Sequence, residues 1–371
     1  MTAVVEVVEQ SRESTRAVAA VPLETAPEVV QALTELSFEP APDGDVVGFV
    51  GRNDNWRLTV SDGRTVFVKR LTGPAAETSV RLDRAVAFAA LVSAAPPRHW
   101  HAPALLGSDA DTRLLVFEEV PDSVSAGEQA DDLEAGVARR IGRAVGELHS
   151  MATALPPTPA PPAPRLANRL AALTLEQYAQ CSGAELEVWA LVQHDKQLNR
   201  ALAALAEQSR AAPQVPSHRD LRLDQILLAG DRIHLIDWEE YGSADPAVDV
   251  GSFVGEWLYR AASAMFADAG EQDGASADTH AQLVQRGARE LEVVRPLVMA
   301  FWSGYRQQRA ADEGLAARAA SYAGWHLFDR VLARSRQSSH LGALERGIAG
   351  IGRNALIGGS AFVETIGLED A

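Results

Sequence analysis

Ser217–Gly251, SHRDLRLDQILLAGDRIHLIDWEEYGSADPAVDVG, is the stretch that decides the fold. It reads as loop, strand, turn, strand, loop, with acidic groups where the strands stop. Asp220 sits in a polar loop entered from Val215-Pro216. The apolar run Gln225-Ile226-Leu227-Leu228 follows, and Gly230-Asp231 is a hairpin signal. A second β-branched run, Ile233 to Ile236, ends directly at Asp237. Such a hairpin holds two loop ends side by side, with Asp220 and Gln225 on one and Asp237 on the other.

That pattern suits phosphoryl transfer. The reaction needs a carboxylate to orient the attacking hydroxyl and accept its proton, and oxygen ligands for the magnesium that bridges the nucleotide phosphates. Its transition state is loose, so positioning and charge neutralisation carry most of the catalysis.

The stretch resembles the aminoglycoside phosphotransferase and choline kinase branch of the protein-kinase-like superfamily. That branch shows His-Gly-Asp, four residues and an Asn, then a strand ending in Asp-Trp-Glu or Asp-Phe-Glu, a Gly-Asp-Pro-like turn and an Asp before a small residue. The corresponding residues here are His218-Arg219-Asp220, Gln225, Asp237-Trp238-Glu239, Ala244-Asp245-Pro246 and Asp249-Val250-Gly251. The resemblance implies that Asp220 is the catalytic base, that Asp237 is the main magnesium ligand, and that Gln225 fills the second-ligand position. Asp249 is expected to brace the catalytic loop. Two residues depart from the pattern: Arg219 replaces Gly, and Gln225 replaces Asn with one extra methylene. Four elements at matching spacing over so short a span form a specific signal. The implied fold class is α+β and bilobal protein-kinase-like, with a small β-rich N-lobe and a larger, mostly helical C-lobe.

Residues 1–45 are expected to be an acidic N-terminus with one short helix from Pro22 to Leu36 that turns Val29, Leu33 and Leu36 to one side. Residues 46–120 make the nucleotide-binding sheet and a helix, and residues 121–371 the helical C-lobe with the catalytic loop 217–251. Strands are predicted over Val46–Val50, Trp56–Val60 and Thr65–Lys69, with Ser61-Asp62-Gly63 as a tight turn. In kinase-like folds the loop at Gly51 covers the phosphates, and the third-strand lysine, Lys69, grips the α and β phosphates. Asn53 and Asn55 either offer side-chain amides to phosphate or cap the turn. The family expects an acidic partner for Lys69 on the helix predicted over Glu77–Val92, where Asp83 and Glu77 are the candidates. That helix spans Val80, Arg84, Ala87 and Leu91 on one face.

Leu114–Glu118 reads as the strand entering the hinge, where backbone groups around Glu119 and Val120 would meet adenine. Leu133, Val137, Ile141, Val145 and Leu148 form a helical stripe, and His149 at its end reads as a packed structural histidine. Leu155–Pro164 is a polyproline linker, followed by helices from about Leu166 to Gln208. Trp257, Trp302, Trp325 and Phe328 are expected in the C-lobe core, and Pro296 kinks a long helix.

The chain has 371 residues, 47% of them hydrophobic, and no apolar run near the roughly 18 residues needed to span a bilayer. The N-terminus lacks a basic segment followed by an apolar core, so no secretory signal is expected. The lone cysteine, Cys181, rules out an intramolecular disulfide framework and fits a reducing cytoplasm. A net charge of −16 argues against nucleic acid as a partner. Residues 1–45 hold nine acidic and two basic residues, so the rest of the chain is only mildly acidic.

The expected activity is therefore ATP- or GTP-dependent phosphorylation of a hydroxyl with Mg. GRNDNW, VFVKRL and HRDLRLDQ together resemble the kinase-type subunits of class V lanthipeptide synthetases. That resemblance implies Ser and Thr of a ribosomal precursor peptide as acceptor and possible separate lyase or cyclase subunits as partners. The alternatives are a small-molecule kinase acting on an aminoglycoside or amino alcohol, and a nucleotide-binding scaffold without turnover that serves a partner lyase.

Overall fold

The computed structural model describes residues 20–151, 172–267 and 277–369. Residues 1–19, the expected polyproline linker and the first of the helices expected from Leu166 thus lie outside the described residues. The chain divides into two compact units. Within the described chain the first comprises residues up to Pro96, His101–Ser123 and His234–Glu240, and the second comprises the rest.

The first unit is built on a five-stranded antiparallel sheet. Its elements are α1 (Pro27–Glu35), β1 (Val46–Phe49), β2 (Asp54–Thr59), β3 (Thr65–Arg70), α2 (Ala75–Ala94), β4 (Leu105–Asp109) and β5 (Leu114–Glu118), with strand order β1-β2-β3-β5-β4. The β2–β3 turn places Gly63 at φ +86°, where glycine meets no Cβ penalty. The two-residue alternation of the strands decides what each face buries. Trp56, Leu58, Val66, Val68, Leu114 and Val116 pack with Val29 and Leu33 of α1. Leu115 and Phe117 point the other way, against Leu82, Ala85 and Val86 of α2. Each fully buried aliphatic side chain of this kind contributes roughly 1.5–3 kcal/mol.

The buried face of α2 is not the one expected. Val80 is 45% exposed, while Thr78, Arg81, Leu82, Ala85 and Phe88 are buried. Two of the buried positions, Thr78 and Arg81, are polar, and this hides the true face from an apolar periodicity.

The second unit is mostly helical. It contains β6 (Val124–Ser125), α3 (Ala135–Leu148), α4 (Leu175–Gln180), α5 (Gly183–His194), α6 (Lys196–Ala211), β7 (Val215–Ser217), β8 (Ile226–Ala229), the start of β9 (Arg232–Leu235), β10 (Gly242–Ala244), α7 (Ala247–Ala267), α8 (Ala277–Gln308), α9 (Leu315–Ser335), α10 (Ala343–Ile357) and α11 (Gly359–Ile366). Thr174 and Ser182 cap α4 and α5 through capping boxes, and the Asp195 carboxylate caps α6. Helices α3 and α8 cross closely because glycine lines the crossing. A Cβ on Gly142 would lie 2.0 Å from the Phe301 carbonyl oxygen, and one on Gly304 2.1 Å from that of Arg139. Phe253 stacks on Phe301 with centroids 4.0 Å apart. Trp257, Trp302 and Phe328 are buried as expected, whereas Trp325 is only half-buried. Among the described residues, no helix is long and apolar enough to cross a membrane.

Two small sheets flank the loop that carries Asp220. β7 pairs with β10, opposing Ser217 to Gly242, and β6-β8-β9 is the strand order of a three-stranded sheet. The β8–β9 turn places Gly230 at φ +58°. The chain passes from the second unit to the first between Ile233 and His234.

Candidate active site

In the first unit, β3 alternation turns Lys69 to a buried position, 8% exposed. Its ammonium donates to the Asp237 carboxylate and lies 3.5 Å from Glu239 Oε2. Asp237 follows β9 at φ +69°, in the left-handed region that non-glycine residues rarely adopt and that recurs at functional sites. The short helical turn Trp238–Glu240 is anchored by its tryptophan. The indole stacks on Phe88 of α2 with centroids 3.6 Å apart and donates to the Leu235 carbonyl.

Glu239 is 4% exposed, and its Oε2 is the centre of a buried polar cluster. It accepts from Asn53 Nδ2 at 3.0 Å and from Arg81 Nη2 at 2.5 Å. Arg81 also donates to Asn53 Oδ1 at 2.9 Å and to the Thr72 carbonyl at 3.1 Å. Glu240 pairs with Arg84 at 3.2 Å. Lys69 therefore has no acidic partner on α2. Asp83 and Glu77, the expected candidates, are exposed. Helix periodicity sends Arg81, and neither acid, to the buried side, so the carboxylate that meets Lys69 comes instead from the segment after β9.

Asn53, one of two amides considered for phosphate, is 5% exposed and tied to Glu239, Arg81 and the Thr72 N–H. Asn55 caps the turn by donating to the Asn53 carbonyl at 3.0 Å. Gly51 is exposed beside it, and a Cβ there would come within 3.3 Å of Asn55 Nδ2. Past β5, Glu119 pairs with Arg57 at 3.3 Å and the Val120 carbonyl accepts from Ser123 Oγ at 2.7 Å.

In the second unit, Asp220 lies in the loop between β7 and β8. Its Oδ2 accepts from Gln225 Nε2 at 3.4 Å and from Arg222 Nη2 at 3.5 Å, and its side chain is 40% exposed. Gln225 is 3% exposed, and its Oε1 accepts from the Arg222 N–H at 2.9 Å. Through Nε2 and Oε1, Gln225 links the Asp220 carboxylate to the Arg222 backbone, and Oε1 keeps a second lone pair.

Asp249 holds the loop from below. Its two oxygens accept from the N–H groups of His218 and Arg219, each at 2.7 Å, while His149 Nε2 lies 3.0 Å from Oδ2 and His149 Nδ1 3.1 Å from the Tyr305 hydroxyl. Burial pushes the Asp249 carboxyl up. The His149 hydrogen bond, the His149 and His218 charges and the Arg219 N–H outweigh burial and hold it below the ordinary value. Arg219, at φ +68°, stands where the family has glycine. Its guanidinium fills the space beside Gly242, where a Cβ would lie 2.4 Å from Nη1. The arginine side chain at 219 thus occupies room that Gly242 leaves open.

A family model described as the phosphotransferase enzyme family matches residues 48–284. The chain belongs to this phosphotransferase family. It is a phosphotransferase. Similar folds occur in a choline/ethanolamine kinase family protein from Mesorhizobium loti, 17% identical with a TM-score of 0.53, covering 91% of this chain and 99% of that one. The choline kinase LicA from Streptococcus pneumoniae is 13% identical with a TM-score of 0.52, covering 90% and 99%. The amicoumacin kinase hAmiN, in complex with AMP-PNP, Ca2+ and Ami, is 12% identical with a TM-score of 0.53, covering 90% and 93%. At these identities the likeness concerns the fold. No match occurs among curated protein sequences.

Sequence reasoning missed Arg81 and the central role of Glu239. A faint signal was available, since Arg81 lies one turn before Ala85 and two turns before Phe88 on the helix, at the core spacing.

Proposed function

We propose that this phosphotransferase moves the terminal phosphoryl group of ATP, with Mg, onto Ser and Thr hydroxyls of a ribosomal precursor peptide. The phosphate would then leave in an elimination run by a separate lyase subunit, in the cytoplasm. The single observation that carries the kinase chemistry is the buried Lys69 ammonium held by Asp237. A lysine fixed on a rigid strand is suited to the nucleotide phosphates, and a half-buried carboxylate just past the end of a strand suits a hard cation. Asp237 fits the metal. When bound, the ion would neutralise charge on the phosphates. Asp220 takes the proton of the acceptor hydroxyl while the hydroxyl oxygen bonds to phosphorus and ADP departs.

The acceptor rests on the likeness of GRNDNW, VFVKRL and HRDLRLDQ to peptide-modifying kinase subunits. A small hydroxyl compound is the second reading, favoured because the similar folds named above include choline kinases and an antibiotic kinase. The test incubates the protein with ATP and Mg and either a Ser/Thr-rich precursor peptide or a panel of amino alcohols and aminoglycosides. Mass spectrometry then looks for one added phosphate. Phosphate on the peptide supports the proposal, and phosphate on a small molecule alone replaces it with the second reading. Nucleotide binding with equal, negligible transfer by wild type and Asp220→Ala points to a scaffold.

A further inference from the structure

We infer that Arg81 is a positioning residue for Lys69, acting through Glu239. The inference rests on the proposed role of Lys69 at the nucleotide. The first unit brings two cations and two carboxylates together: Lys69 and Arg81, Asp237 and Glu239. One oxygen, Glu239 Oε2, accepts from Arg81 at 2.5 Å and lies 3.5 Å from the Lys69 ammonium. Glu239 and Arg81 are both almost fully buried, at 4% and 3% exposed. A buried carboxylate without a strong partner is costly, so Glu239 is tied to the cation that satisfies it best.

The geometry divides the labour. Arg81 and Asn53 hold Glu239 from the α2 and β1–β2 sides, and Arg81 is itself fixed by the Thr72 carbonyl just after β3. Glu239 therefore cannot swing fully onto Lys69, and the 3.5 Å separation is longer than a charged hydrogen bond. Lys69 is bonded to Asp237 and stays placed by Glu239 without being consumed by it, so a phosphate competes with Asp237 rather than Glu239 for its ammonium. The planar guanidinium matters because it spans Glu239, Asn53 and the Thr72 carbonyl at once, which a single ammonium cannot do.

The experiment compares Arg81→Met, Arg81→Lys and wild type in the full chain. The readouts are thermal midpoint, ATP affinity by calorimetry, and KM for ATP against KM for whichever acceptor the wild type phosphorylates. In a folded Arg81→Met protein the expected result is a loss of about 10- to 100-fold in ATP affinity and in kcat/KM for ATP, the range for losing a residue that orients a ligand-binding group. KM for the acceptor stays unchanged, and Arg81→Lys recovers part of the loss. If Arg81→Met does not fold, Arg81→Lys decides, with a fall in ATP affinity expected. Wild-type ATP affinity in a folded Arg81→Met, or in Arg81→Lys where Met fails, overturns the inference. So does a loss that raises both KM values equally. Lys69→Met separates the two levels: if it binds ATP as wild type does, the reading of Lys69 at the nucleotide has failed, whatever Arg81 shows.

Discussion

Asp220, the proposed base, is half-exposed, and Gln225 and Arg222 reach its Oδ2 only over long contacts. Asp220→Ala should lower kcat by about 10²- to 10⁴-fold with ATP affinity nearly unchanged, as read by steady-state kinetics and calorimetry. Asp83→Ala and Glu77→Ala should each leave stability within about 0.5 kcal/mol and kcat/KM close to wild type, because both acids are exposed and Lys69 is paired elsewhere. A large loss from either would restore the helix-borne acid. Asp249 is different, because it is wholly buried under the catalytic loop. Asp249→Ala strands His149 and two N–H groups and should cost about 3–5 kcal/mol, measured by urea unfolding. The folded carboxyl titrates below its ordinary 3.8. Its contribution is therefore complete above that value and is lost as pH falls through the depressed one. The difference in stability between wild type and Asp249→Asn should shrink below about pH 4.

Elements were legible where pattern and burial coincide. Leu114–Glu118 was bounded correctly because an apolar run between turns has one reading, and the hairpin at Gly230-Asp231 because glycine at positive φ marks its turn. The face of α2 was not legible. A helix that buries an arginine and a threonine among its apolar residues has a misleading stripe, and the reason for burying them lies in Glu239 and Asn53, far away in sequence. Arg219 and Gln225 were visible as departures, but their contacts with Gly242 and with the Arg222 N–H depend on loop geometry that spacing does not contain. The α3–α8 crossing gives a test at this scale. Gly304→Ala brings a methyl group within 2.1 Å of a backbone oxygen that cannot yield cheaply. It should destabilise by about 1–3 kcal/mol in thermal or urea unfolding, even though alanine is the better helix former.

At the scale of the whole molecule, the first unit is not contiguous in sequence: His234–Glu240 completes it. Residues 20–123 expressed alone lack Glu239, leaving Arg81 and Asn53 buried without that acceptor, and lack Trp238, removing the indole that stacks on Phe88. That fragment should fail to melt cooperatively by circular dichroism, and appending residues 234–240 through a flexible linker should restore a transition. A cooperative melt of the short fragment would contradict the packing described. The same discontinuity sets a timetable on the ribosome. Translation must run on for more than a hundred codons beyond Ser123 before the last piece of the first unit emerges, on the order of ten seconds at ordinary elongation rates. During that interval α2 carries an arginine without its carboxylate and an aromatic ring without its stacked indole, the kind of surface a chaperone would be expected to shield.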